Sequence, residues 1–283
     1  MKENIIISNP ERLAEIKKSI SKGRSEDFFV LSDFGRTLTR AFVDGKSVPA
    51  MIAILKYGNY LTPDFVPAAQ ALYDKYHLIE VNPKIGREEK EKAMRKWWIT
   101  VFDLLIKSGL SRRDIKKVVD SGKVKFRDGF FEFIDFLNKY DIPLIIISAS
   151  GLGGDAIAMC LKKIKKLLRN IHIISNSFKW GKNNKAIAVK KPIIHAMNKN
   201  GDLIKSSAIF KIIKNKKNIL LLGDSLDDIN MAEGLDYNNL IKVAFLNENV
   251  DECLEDYKSN FDVIMLNDSS LFFINNLVKE IIK

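Results

Sequence analysis

Apolar residues along the chain form short continuous runs that alternate with stretches of helical periodicity. Unbroken runs at 27–32, 143–148 and 218–223 are typical of strands that are buried on both faces. Further runs lie at 171–175, 241–246 and 261–266. Between most of these runs, apolar residues recur every three or four positions, as in amphipathic helices. The alternation predicts an α/β protein with a parallel sheet covered by helices on both faces.

The segment 45–125 interrupts this alternation because it is helical throughout and contains no strong strand pattern. Its longest predicted helix spans 88–108, and Ser111 is placed to cap the next helix. We therefore predict a Rossmann-like core made of residues 1–44 and 126–283. Residues 45–125 are predicted to form an inserted helical-bundle cap domain.

Composition fits a globular protein of ordinary type. The chain has 283 residues, of which 46% are hydrophobic, and a formal net charge of +11. Its two cysteines form no CxxC pair, which favours a reducing compartment, and no apolar run is long enough to span a membrane. We expect a cytoplasmic protein without a membrane partner.

The positive charge leaves three interpretations open: a lysine-rich surface, attraction of a small phosphorylated substrate, or nucleic-acid binding. No zinc finger, RNA-recognition signature or basic aromatic ladder supports the last of these. A basic nucleic-acid-binding protein therefore stays an alternative of a different class, and the sequence does not favour it.

Polar residues follow several of the predicted strands directly. They are Asp33, Thr37, Ser148, Asp224 and Asp228, and Lys190 follows a predicted hairpin at 176–191. Because parallel strands end at one edge of a sheet, we expect these side chains to meet there. Each residue alone could be a turn or cap residue, so the prediction depends on the ordered set.

Such a set can carry out phosphoryl transfer. A carboxylate can act as the nucleophile and form an aspartyl-phosphate. Two carboxylates can bind Mg²⁺, which prefers oxygen ligands, while lysine and serine can hold phosphate oxygens.

The ordered set resembles the haloacid dehalogenase superfamily of phosphatases, in which a cap is inserted between the first two motifs. Other segments look like the pyrimidine-type (type III) cytosolic 5′-nucleotidases within it. These segments are His77 to Pro83, Glu88 to Lys90, Lys96 to Trp98, Ile174 to Asn176, Ile194 to Lys199, Met231-Ala232, Leu246-Asn247 and Val250-Asp251. The likeness covers roughly residues 27–282. It implies hydrolysis of a nucleoside 5′-monophosphate, with a pyrimidine base favoured, and Mg²⁺ as cofactor.

The resemblance also implies a role for each matching residue. Asp33 matches the nucleophile, and the metal would be held by Asp33, the Gly35 carbonyl, Asp224 and Asp228. The phosphate group would be held by Ser148, Ala149 and Lys190, with Lys190 also counted as catalytic. The nucleobase would be contacted by Glu80 and walled by Trp97 and Trp98.

Position 35 departs from the family pattern, which has a second aspartate there as general acid and base. Glycine retains the carbonyl but has no proton to donate, and loss of such a group typically costs about 10²–10⁴-fold in rate. Three interpretations follow: a slowed nucleotidase, a phosphotransferase or phosphatase for better leaving groups, or an impaired member that binds a nucleotide or a partner. Retention of the other site residues favours the first two.

Overall fold

The fold is organised by one large sheet, seen in a computed structural model that describes residues 5–82 and 84–282. In chain order the strands are β1 Ile5–Ile7, β2 Phe28–Ser32, β3 Phe42–Val43, β4 Lys46–Ser47, β5 Leu144–Ser148, β6 Ile171–Ser175, β7 Phe178–Trp180, β8 Ala186–Val189, β9 Asn218–Gly223, β10 Asn239–Leu246 and β11 Val263–Leu266. Seven of them form the sheet in the order β1-β11-β10-β9-β2-β5-β6. Strands β3 and β4 form one small hairpin, and β7 and β8 form another.

The sheet is parallel except at one edge, where β1 runs antiparallel to β11. Strand β2 lies inside the sheet, where Ser32 pairs with Leu222 of β9 on one side and Ile146 of β5 on the other. Residue 33 therefore leaves the sheet between the ends of β9 and β5.

Helices cover both faces of the sheet, as the sequence predicts. In chain order they are α1 Pro10–Ser21, α2 Met51–Tyr57, α3 Phe65–Val81, α4 Arg87–Lys107, α5 Arg112–Asp120, α6 Phe130–Lys139, α7 Gly153–Lys163, α8 Gly201–Lys205, α9 Phe210–Ile213, α10 Val250–Asn260 and α11 Phe272–Ile281. Helices α1, α6, α7 and α11 share one apolar cluster with the sheet, and α8, α9 and α10 share another. Phe28 and Val30 of β2 point into the first cluster, whereas Phe29 and Leu31 point into the second. This arrangement confirms the predicted fold class.

Helices α2 to α5 lie in the predicted insert and have an apolar cluster of their own. Phe65, Phe102 and Ile115 are fully or almost fully buried in it. The same cluster includes Leu152 at the start of α7 and Phe178 of β7, so the insert packs continuously onto the sheet domain. We propose that residues 45–125 act as a cap seated on the carboxyl edge of the sheet.

Three local features differ from the sequence-based expectation. The small hairpin of β3 and β4 was not predicted, and Lys46–Ser47 lies in the segment that was expected to be helical throughout. The strand β1 was not predicted, because three apolar residues give no distinctive pattern. A single helix was predicted over 203–214, but the chain forms α8 and α9 with a break between them. At the break, the Ser207 hydroxyl donates to the Ile204 carbonyl and accepts from the Ile209 amide. Such side-chain bonds compete with the helical pattern.

No helix among residues 5–82 and 84–282 is long and apolar enough to cross a membrane.

A buried guanidinium, that of Arg127, ties the loop after β2 to the loops after β10 and β11. It donates to the carbonyls of Arg36, Thr37 and Ser269 at 2.5–2.7 Å. It also donates to the Asn247 amide oxygen at 2.8 Å and pairs with Asp268 at 2.9 Å. Burial lowers its pKa to about 10, although Asp268 opposes this shift, so the group stays charged at neutral pH.

Replacing Arg127 with methionine should destabilise the protein strongly. Removal of one partner from a buried ion pair typically costs about 3–5 kcal/mol, because the other charge is left uncompensated. We expect a loss of this size in the free energy of unfolding, measured by urea denaturation. Arg169 is a matched control, since it pairs with Asp141 on the exposed surface, and Arg169→Met should change stability little. Similar losses in both variants would contradict the role given to Arg127.

Candidate functional site

The carboxyl edge of the sheet borders a cleft of about 350 Å³ that reaches the helical insert. Asp33, Ser148, Ala149 and Lys199 line it from the sheet side, and Trp98 lines it from α4. Asp33 follows β2 directly, and its backbone amide continues the sheet by donating to the Leu222 carbonyl at 3.0 Å. The nucleophile candidate is thus fixed by strand pairing and opens into a cleft.

Lys199 places a positive charge between two of the carboxylates at this edge. Its Nζ donates to Asp33 Oδ1 at 3.0 Å and forms a second, short bond with Asp228 Oδ1. All three residues are buried. An ammonium group held between two buried carboxylates can also approach the oxygens of a phosphoryl group on Asp33.

Lys190, the lysine that the sequence analysis assigned to phosphate, lies elsewhere. It follows β8, its side chain is exposed, and its backbone amide donates to the Ser177 carbonyl. Within the described residues no hydrogen bond or ion pair joins it to Asp33, and it does not line the cleft. The geometry therefore favours Lys199 over Lys190 for this role.

The reason is the path of the chain after the hairpin of β7 and β8. From Lys190 a further nine residues bring it back to the sheet edge, where Lys199 enters the site. A signal for Lys199 was present, because Ile194 to Lys199 belongs to the segments on which the resemblance was based. The resemblance carried no information about distances in space, so Lys190, which directly follows the hairpin, was predicted instead.

The loop after β9 carries the other two carboxylates. Asp228 Oδ2 accepts the backbone amides of Asp224 and Ser225 at 3.0 and 3.1 Å, which caps the 3₁₀ helix Leu226–Ala232. Asp224 accepts a bond of 3.3 Å from the Thr37 hydroxyl. Its own carbonyl accepts from the Tyr257 hydroxyl at 2.8 Å. The loop is thereby held against the residues that follow β2.

Negative charge exceeds positive charge at this edge. Burial raises the pKa of Asp33 to about 6, and Asp228 adds to the shift while Lys199 opposes it. Burial also raises the pKa of Asp224 to about 8, and its carboxylate neighbours Asp228 and Asp33 add to the shift. A bound cation would relieve this repulsion.

A magnesium ion fits this donor set. No group of three or more His, Cys, Asp or Glu residues in the described part of the chain forms a ready ligand cluster. Magnesium, however, is commonly held by one or two carboxylates and keeps several waters. Asp33, Asp224 and the carbonyl of Gly35 would bind it directly. Asp228 is already bonded to Lys199 and two amides, so it would hold the water molecules around the ion.

Ser148 and Ala149 are brought to the cleft as predicted. Ser148 is the last residue of β5, and its side chain is buried beside the nucleophile strand. Gly151, three residues after Ser148, has Ile52 and Trp98 of the insert so close that a Cβ there would lie 2.7 and 2.9 Å from them. The insert therefore packs tightly on the loop that would bind phosphate.

The residues predicted to contact the base lie on an aromatic stack in the insert. Trp98 stacks on Phe102 and on Trp97, with ring centroids 5.5 and 6.2 Å apart. At the other end, Tyr73 stacks on His77 at 4.8 Å, and Glu80 bonds to His77 at 3.2 Å. Of the three predicted residues Trp98 lines the cleft, whereas Glu80 and Trp97 do not.

Comparison with known proteins relates the chain to nucleotidases. A profile of the pyrimidine 5′-nucleotidase family matches residues 36–282. The 7-methylguanosine phosphate-specific 5′-nucleotidases of Rattus norvegicus and Homo sapiens are each 32% identical to it, over 100% of this chain and 94% of theirs. A putative cytosolic 5′-nucleotidase 3 of Caenorhabditis elegans is 30% identical over 98% of this chain and 75% of its own.

Solved structures show the same relation. Cytosolic 5′-nucleotidase IIIB bound to cytidine superposes with a TM-score of 0.90 at 25% identity, covering 99% of this chain and 94% of that one. A phosphoserine phosphatase, solved as a phospho-aspartyl intermediate analogue, superposes with a TM-score of 0.50 at 18% identity, covering 90% and 98%. Because the identity of the second match is low, it supports the fold and not the activity.

The two lysines can be separated by matched substitutions. Lys199→Ala should lower phosphate release by at least about 100-fold, since it removes a preorganised charge at the reacting group. Lys190→Ala should leave the rate near that of the unmodified chain. Steady-state phosphate release is the measurement, with circular dichroism to confirm folding of both variants. The reverse order of effects would return the role to Lys190.

Proposed function

Since the chain belongs to the pyrimidine 5′-nucleotidase family and is a 5′-nucleotidase with a haloacid dehalogenase-like fold, we propose that it hydrolyses nucleoside 5′-monophosphates through an aspartyl-phosphate on Asp33. The observation that carries the proposal is the buried pair of Asp33 and Lys199 at the mouth of the cleft. A nucleophile and a phosphate-binding cation are thereby 3.0 Å apart.

Two displacements make up the reaction. A carboxylate oxygen of Asp33 attacks phosphorus, the bond to the 5′ oxygen of the nucleoside breaks, and that oxygen takes a proton from water because Gly35 has none to give. Water then attacks phosphorus, the bond to Asp33 breaks with return of its electron pair to the carboxylate, and the proton of the water passes to the phosphate product or to solvent. Lys199, the Ser148 hydroxyl and the backbone at Ala149 hold the phosphoryl oxygens during both steps. Magnesium, when bound, supplies further positive charge to these oxygens.

The base would contact Trp98, which lines the cleft next to the phosphate loop. Pyrimidine was the sequence-based expectation. The relatives named for 7-methylguanosine phosphate introduce a second candidate, and a positively charged methylated purine would gain cation–π attraction from an indole face. We keep the pyrimidine monophosphate as the proposed substrate and 7-methylguanosine 5′-monophosphate as its competitor.

Release of phosphate from CMP, UMP and 7-methylguanosine 5′-monophosphate tests the activity directly. We expect slow release that requires Mg²⁺ and stops when EDTA is added. Asp33→Asn should abolish it, because an amide keeps the shape of the side chain but is not a nucleophile. Background rates on all three nucleotides would contradict the proposal, and a rate in Asp33→Asn equal to that of the unmodified chain would contradict the nucleophile.

Glu80 does not line the cleft and is bonded to His77, so its contact with the base stays a prediction from the resemblance. It is tested by comparing binding of nucleotide with binding of inorganic phosphate. A charged hydrogen bond contributes about 1.5–3 kcal/mol, so Glu80→Ala should weaken nucleotide binding by about 10-fold or more. Phosphate binding should not change. Glu88→Ala is the control, because Glu88 is an exposed carboxylate on the neighbouring helix α4. Equal weakening of both ligands, measured by calorimetry, would remove Glu80 from base recognition.

A further inference from the structure

Position 35 offers space in the cleft but no proton donor. Gly35 is exposed and lines the cleft beside Asp33. A Cβ at this position would meet only Asp33 Oδ2, at 4.0 Å, which is ordinary contact. A Cβ is therefore accommodated without a clash, and packing around this atom does not require glycine.

Over the residues that the structure describes, no other side chain that lines the cleft can serve as the general acid that is missing at position 35. Among the described lining residues, those with ionisable side chains are Asp33, Arg36, Arg40 and Lys199. Asp33 is the nucleophile itself, and Lys199 is engaged by two carboxylates. Guanidinium groups do not release protons in proteins, and the remaining hydroxyl groups are weaker acids still.

The same cleft is rich in positive charge. Arg36 pairs with Glu248 at 2.9 Å, and Arg40 pairs with Asp128 at 2.5 Å. Both acidic partners are exposed, and neither lines the cleft. Three cationic side chains and one carboxylate thus line the cleft itself. Carboxylates outside the lining pair with each of these cations and offset part of their charge. The N–H groups of the cations can still hydrogen-bond a group that leaves as an anion, so such a group is stabilised without a proton.

We propose that this site is suited to phosphoryl compounds whose leaving group departs as a stable anion, a nucleotide phosphoanhydride above all, and that monophosphate ester cleavage is its slower reaction. The inference rests on the proposed function, because it uses the same nucleophile. In the first step the Asp33 oxygen bonds to the terminal phosphorus and the bridging P–O bond breaks. Its electron pair leaves with the nucleotide phosphate, which needs no proton.

The second step likewise needs no proton donor for its leaving group. Water attacks the phosphorus of the aspartyl-phosphate, and the P–O bond to Asp33 breaks. The electron pair returns to a carboxylate, which is a good leaving group, and the proton of the water passes to the phosphate product or to solvent. Loss of the base at position 35 slows this step equally for every substrate, because the aspartyl-phosphate is the same in each case. The missing acid affects the first step, and most strongly when the leaving oxygen is strongly basic.

The test is the dependence of kcat/KM on the leaving group, because kcat/KM reports the first displacement. The probes are 2,4-dinitrophenyl, 4-nitrophenyl and phenyl phosphate, whose leaving groups are increasingly basic, together with CDP and CMP. From 2,4-dinitrophenyl to phenyl phosphate, kcat/KM should fall for both proteins. The fall should be at least about 100-fold larger in the unmodified chain than in Gly35→Asp, because a general acid usually contributes this much. The unmodified chain should also prefer CDP to CMP, and Gly35→Asp should reduce that preference.

Gly35→Asn is the matched control, since it fills the same space without an acidic proton and should keep the steep dependence. An equally shallow dependence in the unmodified chain and in Gly35→Asp would overturn this inference and leave the proposed nucleotidase standing. A preference for CMP over CDP in the unmodified chain would also overturn it. No phosphate from any probe would overturn both.

Discussion

Three carboxylates that lie together at one buried sheet edge impose the strongest constraint on this molecule. Asp33, Asp224 and Asp228 repel one another, and burial increases the cost of their charges. Asp228 is compensated by Lys199 and two backbone amides, and Asp33 by Lys199 and the backbone amide of Phe34. Among the described residues, the side chain of Asp224 has a long hydrogen bond from Thr37, a guanidinium at 4.0 Å, that of Arg36, and the more remote charge of Lys199. The incomplete compensation is what makes this edge a place for a cation and a phosphoryl group.

The parallel sheet explains why these groups meet at all. The register places Ser32 level with Leu222 and Ile146, so the chain after β2 emerges between the loops after β9 and β5. Arg127 then fixes the loop after β2 by binding two of its carbonyls. The site is thus positioned by backbone pairing on one side and by a buried guanidinium on the other.

Sequence reasoning predicted those parts of the fold that depend on local patterns. The apolar strands and the polar residues directly after them were found because strand ends fix position to within a residue. Lys199 enters the site after an irregular segment whose path no local pattern encodes, so the sequence pointed to Lys190. The bonds of Arg127 likewise join loops that are more than 90 residues apart in sequence, and periodicity carries no information about such contacts.

Position 35 shows how activity can change without a change of fold. Asp33, Ser148 and Asp228 are buried, so substitutions there disturb packing or leave charges unpaired. Gly35 is exposed, and a Cβ there would meet a single atom at 4.0 Å. The group that protonates a leaving oxygen can therefore be lost while the nucleophile and the phosphate-binding residues stay in place. The basicity of the leaving group then decides which substrates the site can turn over.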